Sequence, residues 1–101
     1  MNTTEHIICA AIWFKDKIDH PHQPVNIHTG YVVCGKRHDN CYITVAIIAN
    51  QSLQEYEFIP NEHGFLTSQN RFVNRQEAGE IAFKAGQISK ETNCLISEDL
   101  Y

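Results

Sequence analysis

Residues 70–88, NRFVNRQEAGEIAFKAGQI, restrict the fold more than any other segment, because they carry signals for both ends of one helix. Asn74 is a suitable N-cap, and Glu77 lies three residues later, at the capping-box position. Gly86 is a natural residue to end the helix. One narrow apolar stripe lies between these ends, formed by Ala78, Ile81, Ala82 and Ala85. We therefore predict a short helix that packs closely against a neighbour.

Shorter apolar runs predict strands in the first third of the chain. Residues 6–14 are rich in Ile, Trp and Phe and indicate a buried strand. Residues 15–24 are polar, contain two prolines and indicate a loop. Thr29 and Gly30 separate two short apolar runs, which predicts a turn or hairpin, with residues 31–34 as the better strand.

The middle of the chain allows two interpretations. In residues 36–50, Asp39 can cap a helix, Asn50 can end it, and apolar side chains recur at helical spacing. The many β-branched residues favour a strand instead. We prefer the helix, because the run is longer than a usual strand. Residues 54–68 predict two antiparallel strands joined by a turn at residues 60–64, and the RFV segment can continue the second strand.

The chain as a whole is predicted to form one α+β domain over residues 1–101, a small antiparallel β-sheet with two α-helices. Its composition, 43% hydrophobic and 20% charged, is that of a folded soluble protein. No apolar run approaches the roughly 20 residues that span a bilayer. The first residues do not have the pattern of a secretory signal. We therefore expect a cytosolic protein without a membrane partner.

Cysteines and histidines give little indication of a metal site. The four cysteines include no Cys-x-x-Cys pair, and we expect them to be reduced, small core residues. His20 and His22 have a spacing that can ligate zinc, but they flank a proline in a predicted loop and lack a clear third ligand. We expect no metal and no cofactor.

Basic residues are concentrated at the two predicted helix starts. Four of the eight Lys and Arg residues lie there, namely Lys36, Arg37, Arg71 and Arg75. Cations are mildly unfavourable at a helix N-terminus unless carboxylates or a bound anion offset them. Arginine forks beside exposed helix amides form phosphate sites, and Tyr42, Phe65 or Phe72 can stack on a base. The alternative is that these arginines pair with nearby carboxylates on a solvated face.

Two further functions are open from the residues alone. Cys41 and His38 could form a nucleophile–base pair in a nucleotide phosphoesterase, although no local catalytic signature is present. The apolar tail, which contains Leu95, Ile96, Leu100 and Tyr101, could dock on the body, on another subunit or on a host protein. The formal net charge of −4 argues against a DNA-binding protein.

Three segments taken together resemble a group of small phage and prophage proteins. They are GKRHDNC (residues 35–41), GFLTSQNRFVNRQEAGEIAFKAGQI (residues 64–88) and the terminal LISEDLY. The group combines a Gly-Phe turn, a Phe-Val-x-Arg helix start, an Ala-Gly-Gln helix end and a Ser-Glu-Asp-Leu-Tyr terminus. On these motifs the chain is similar to the anti-Thoeris sponge proteins, and the resemblance covers about half of the sequence.

The resemblance implies a function without catalysis. Proteins of this family bind and sequester the cyclic ADP-ribose isomers that the Thoeris immune system makes as a signal, and some also bind cyclic oligonucleotides of the CBASS system. They combine a small antiparallel sheet with helices, and their dimers assemble into hexamers with pockets between subunits. The implied place of action is the cytoplasm of the infected bacterium.

Candidate ligand-binding residues follow from the chemistry and from their place in the matching segments. Arginines at helix starts suit a pyrophosphate, and an aromatic face suits an adenine. We expect the ligand to contact residues from this set: Arg37, His38, Phe65, Arg71, Asn74, Arg75 and Gln87.

Overall fold

The computed structural model describes residues 4–52 and 59–100. In these residues the chain forms four strands and two α-helices. In chain order they are β1 (Ile7–Phe14), β2 (Tyr31–Gly35), α1 (His38–Ser52), β3 (Asn61–Thr67), β4 (Phe72–Asn74) and α2 (Arg75–Lys84), followed by a 3₁₀ turn at Ser97–Asp99. The sequence-based prediction of a small α+β domain is confirmed.

The strands form a single antiparallel sheet in the order β2-β1-β3-β4. β1 is central and pairs along its length with β3, from Ile7 opposite Thr67 to Phe14 opposite Asn61. β4 lies at the edge and leads directly into α2. This order places the start of α2 beside β3.

Both helices cover the same face of the sheet. The main core combines β1 residues with Cys41 and Val45 of α1 and Ala78 and Ala82 of α2, all nearly inaccessible to solvent. Leu95 fills the same core and is fully buried. The beginning of the predicted apolar tail is therefore part of this chain's own fold.

The loop after β1 covers part of the opposite face. Ile27 of that loop packs with Ala11 and Phe72, beside Trp13. Asn26 fixes the loop to β4, because its side chain accepts from the Phe72 N–H at 2.9 Å and donates to the Phe72 carbonyl at 2.6 Å. The predicted loop at residues 15–24 is confirmed.

α2 begins and ends where the sequence predicts. The Asn74 side chain accepts from the Glu77 N–H at 2.8 Å, and Gly86 adopts a left-handed conformation with φ of +76° after the C-cap. Gly79 allows the predicted close approach, since a Cβ at this position would lie 2.2 Å from the Thr92 carbonyl oxygen.

Some local predictions of turns and strands are wrong. Residues 61–64, predicted as part of a turn, belong to β3, because ladder pairing with β1 outweighs the turn preference of Pro60 and Asn61. Gly30 does turn the chain, with φ of +81°, but residues 25–28 form no strand, and β2 pairs with β1 instead of closing a local hairpin. The strand predicted before residue 60 falls largely on residues 53–58, outside the described residues.

α1 is a helix, as preferred, but Asp39 lies inside its first turn and does not cap it. The side chain of Asn40 reaches back to accept from the Arg37 N–H at 3.1 Å. The described part of the helix continues past Asn50 to Ser52. The basic residues Lys36 and Arg37 therefore stand immediately before the first helical residue, His38.

The four cysteines are free, but they are not all core residues. Cys41 is buried, whereas Cys34 and Cys94 are exposed. A hydrogen bond from the Cys34 thiol lowers the pKa of Cys9 to about 7. Among the described residues, neither helix has the length and hydropathy needed to cross a membrane.

Candidate anion-binding cavity

The two helix starts, β3 and the C-terminal turn enclose one small cavity. Its volume is about 230 Å³. Arg37, His38, Asp39 and Tyr42 line it from the start of α1, His63 from β3, Arg75 from the start of α2, and Ile96, Ser97 and Glu98 from the C-terminal turn. The sheet order thus brings together two segments that are far apart in sequence.

Arg75 is the first residue of α2 and has incomplete hydrogen bonding. Its Nη2 atom lies 3.2 Å from His63 Nδ1, while its Nε atom is buried without a hydrogen-bond partner among the described residues. A buried donor without an acceptor costs about 1–3 kcal/mol. An acceptor group placed beside this guanidinium would recover that energy.

The Arg75 contact fixes the protonation state of His63. A guanidinium only donates, so His63 Nδ1 must be the acceptor and carries no proton. In the neutral ring, Nε2–H then donates to the Tyr42 hydroxyl oxygen, 2.6 Å away. This arrangement leaves the Tyr42 O–H to donate to a third group.

His38 is held below the cavity by a second hydrogen bond. It is 8% exposed, and its Nε2–H donates to the Gly64 carbonyl at 2.9 Å. Its ring stacks on His63 at 5.0 Å with an interplanar angle of 10°. Burial lowers the pKa of both histidines, and the Arg75 charge lowers both further. Both rings are therefore neutral at neutral pH.

The rim of the cavity is more exposed and carries charges of both signs. Arg37 Nη1 lies 3.5 Å from Glu98 Oε1, and both side chains are more than 40% exposed. Asp39 is also exposed. With neutral histidines, the two arginines and two carboxylates sum to zero formal charge. The first-turn amides of α1 and α2 add partial positive charge at this place.

Three of the predicted ligand-binding residues line this cavity, namely Arg37, His38 and Arg75. Phe65 lies behind it, fully buried, with its ring edge-on to His38 at 5.2 Å. In this position Phe65 supports the His38 ring and presents no open face on which a base could stack.

Three other predicted residues have structural contacts elsewhere. Arg71 forms two hydrogen bonds with the Glu5 carboxylate, at 2.9 and 2.8 Å. Asn74 uses its side-chain oxygen to cap α2. Gln87 bonds to both the N–H and the carbonyl of Ile7, at 2.7 and 2.8 Å, and so ties the end of α2 to β1.

His63 is the cavity residue that sequence reasoning missed. It falls within the turn that the sequence predicts at residues 60–64, whereas it lies in β3 between Tyr42 and Arg75. Tyr42 was considered only for stacking on a base. The two residues are separated by 21 positions, and no local pattern links them.

No group of three or more metal-ligating side chains occurs among residues 4–52 and 59–100. His20 bonds through Nε2 to Asp16 at 2.7 Å, whereas His22 is exposed. The cavity itself offers arginine and tyrosine donors with exposed carboxylates at its rim, a set that suits an oxyanion.

Comparison with known proteins places the chain in a phage family. The family model of the phage T4 y16D protein matches residues 6–101, almost the whole sequence. Neither a curated protein nor a solved structure matches the chain. The family match confirms the phage part of the resemblance. The chain is a small phage protein and belongs to the phage T4 y16D protein family.

Proposed function

We propose that this protein binds and sequesters a cyclic nucleotide immune signal in the cytoplasm of the infected bacterium, without cleaving it. The candidate signals are the cyclic ADP-ribose isomers of Thoeris and the cyclic oligonucleotides of CBASS. One observation carries the proposal: Arg37 and Arg75 line the same cavity at two helix starts, and Arg75 Nε is buried without a partner in residues 4–52 and 59–100.

A phosphate fits the chemistry of this cavity better than the other parts of a nucleotide do. Its oxygens can accept from the Arg75 guanidinium, from the Tyr42 hydroxyl and from first-turn amides. The rim carboxylates, Asp39 and Glu98, can accept hydrogen bonds from sugar hydroxyls. The donors in the cavity and the carboxylates at its rim together therefore support recognition of a phosphate and its ribose.

The size of the cavity supports a site completed by a second subunit. Its volume of about 230 Å³ is below the roughly 300–1,000 Å³ of typical ligand pockets. A whole cyclic nucleotide would extend beyond it. Ile43 and Ile47, on α1, are each more than half exposed and offer apolar surface for self-association. We propose a homo-oligomer in which dimers assemble into a hexamer and a neighbouring subunit covers the base.

Sequestration is favoured over phosphoester hydrolysis by the hydrogen bonding of the histidines. The cavity contains two histidines and an arginine, which is the observation that favours an enzyme. However, His38 is almost completely buried, and its Nε2 is held by Gly64. A general acid–base pair of histidines needs both rings within reach of the substrate, and of these two rings only His63 is in contact with Arg75. A Cys41 nucleophile is disfavoured by its burial, which raises the pKa of the thiol to about 11.

An adaptor function through the apolar tail has less support. Leu95 is fully buried in the core, and the C-terminal turn supplies Ile96, Ser97 and Glu98 to the cavity wall. Much of the tail surface is therefore used within the chain itself.

The proposal is tested by calorimetric titration of the purified protein with cyclic ADP-ribose isomers, cyclic di- and trinucleotides, ADP-ribose and AMP. We expect submicromolar binding of at least one cyclic species. The bound ligand is then released by heat denaturation and analysed by mass spectrometry. Recovery of the intact ligand supports sequestration, recovery of a cleaved product supports the enzyme, and absence of binding across the panel contradicts the proposal.

A further inference from the structure

The hydrogen bonds that join Tyr42, His63 and Arg75 depend on the protonation state of His63. His63 Nδ1 accepts from Arg75 Nη2 at 3.2 Å, and this contact exists only while Nδ1 is unprotonated. A proton on Nδ1 would place two donors and two positive charges against each other. Without an anion, protonation of His63 therefore breaks this contact.

A bound oxyanion makes the protonated state of His63 favourable. A phosphate oxygen between the two side chains can accept from His63 Nδ1–H and from the Arg75 guanidinium together, and it offsets both positive charges. We propose that His63 takes one proton from solvent when the phosphate binds and becomes its second cationic contact beside Arg75. This inference rests on the proposed function and adds the ionisation state of the site.

The groups around His63 are consistent with this role. Those that face it are His38 and Tyr42 from α1, Arg75 from α2, and, at the rim of the same cavity, Arg37, Asp39 and Glu98. His38 is already committed through Nε2 to Gly64 and is almost completely buried. Among these groups, His63 has the ring nitrogen in contact with the Arg75 guanidinium.

The direction in which ligand affinity changes with pH follows from the pKa of His63 in the free and in the bound protein. In the free protein, burial, His38 and Arg75 hold the pKa of His63 below its ordinary value. A bound anion raises that pKa. Affinity therefore increases as the pH falls from neutral through the pKa of the bound state, and it levels off below the pKa of the free state. Each unit by which the ligand raises the pKa corresponds to about a tenfold gain in affinity.

The test is an NMR titration of the histidine ring signals between pH 5 and pH 8, in sodium sulfate and in sodium chloride of equal ionic strength. Sulfate is a suitable probe because it does not itself titrate in this range. We expect sulfate to raise the pKa of His63 and to have no effect on the ring signals of His28, an exposed loop histidine. A rise at His38 in place of His63, or no rise at either, overturns the inference.

Two variants separate this inference from the proposed function. His63→Gln keeps a hydrogen-bonding side chain but cannot take up a proton, so its binding of the cyclic nucleotide selected by calorimetry should lose its pH dependence. His28→Gln is the matched control and should behave as the parent protein does. If a cyclic nucleotide binds with the same pH dependence in all three proteins, the inference fails while the proposed function stands. If none of the three binds, the proposed function fails.

Discussion

Arg71 and Arg75 stand four residues apart on either side of the Asn74 cap, yet their surroundings differ completely. Arg71 lies next to Glu5, which accepts two hydrogen bonds from it. Arg75 faces the cavity, where its Nη2 contacts a neutral histidine and its Nε has no partner in the part of the chain that the structure describes. A carboxylate accepts hydrogen bonds from the first arginine, whereas the second keeps a buried donor that lacks an acceptor among the described residues. A basic residue near a helix start is thus no indication of a binding site until its partners are known.

The largest expected effect is a difference in ligand affinity between variants of the two arginines. Arg75→Ala should weaken binding of the cyclic nucleotide by about 100-fold, since hydrogen bonds to a charged group contribute about 1.5–3 kcal/mol. Arg71→Ala, the matched control, should change the affinity by less than about threefold, because its guanidinium is held by Glu5 away from the cavity. Calorimetry on both variants measures the difference. Equal losses in the two variants would remove the distinction on which the site rests.

The second effect concerns the residue between the two arginines. Asn74→Ala removes the side-chain acceptor for the Glu77 N–H and should lower the free energy of unfolding by about 1 kcal/mol. Chemical denaturation followed by circular dichroism measures this loss. Asn74→Asp, which keeps an acceptor, is the control and should remain near the parent stability. A similar loss in both variants would show that the cap contact is not responsible.

A smaller effect is expected on the free energy of unfolding, to which Arg71 should contribute more than Arg75. Arg71→Ala and Glu5→Gln should each lower the free energy of unfolding by about 0.5–1 kcal/mol, the usual range for a partly exposed ion pair. Arg75→Ala should cause a smaller loss than Arg71→Ala, because it removes the hydrogen bond to His63 but also a buried donor that lacks an acceptor among the described residues. The same denaturation experiment applies. An Arg75→Ala protein that is less stable than Arg71→Ala would mean that the Arg75 guanidinium mainly supports the fold.

The smallest effect is the response of the Arg71–Glu5 pair to acid. The hydrogen bonds from Arg71 hold the pKa of the Glu5 carboxyl below its usual value in the folded protein. Its contribution to stability is therefore complete above the pKa of the unfolded chain and is lost as the pH falls through the folded value. Thermal unfolding between pH 6 and pH 3 should show the parent protein converging with Glu5→Gln. A constant gap between them would contradict this assignment.

The sequence predicts much of the fold because its strongest signals are local. The cap at Asn74, the glycine at position 86 and the alanine stripe act within one helix, and the structure follows them. The conformation of residues 61–64 is not predicted by such local signals, since it is decided by pairing with β1 residues that lie about fifty positions earlier in the sequence. Local turn preference is weak against a complete strand ladder.

The candidate site is harder to predict, because it depends on contacts between distant segments. Arg37 and Arg75 share a cavity only because the sheet order brings the start of α2 to the start of α1. The contact between His63 and Tyr42 has no signature in the sequence. Gln87 was predicted to bind a ligand, and its amide instead holds the backbone of Ile7, a partner that no local pattern indicates.

The most direct test of the central claim observes the two arginines in one sample. The side-chain Nε–H signals of Arg71 and Arg75 are followed by NMR while the cyclic nucleotide selected by calorimetry is added. We predict a downfield shift of the Arg75 signal, as its guanidinium gains a phosphate acceptor, and no change at Arg71, which already bonds to Glu5. Saturating binding that moves the Arg71 signal, or leaves the Arg75 signal in place, would contradict the account.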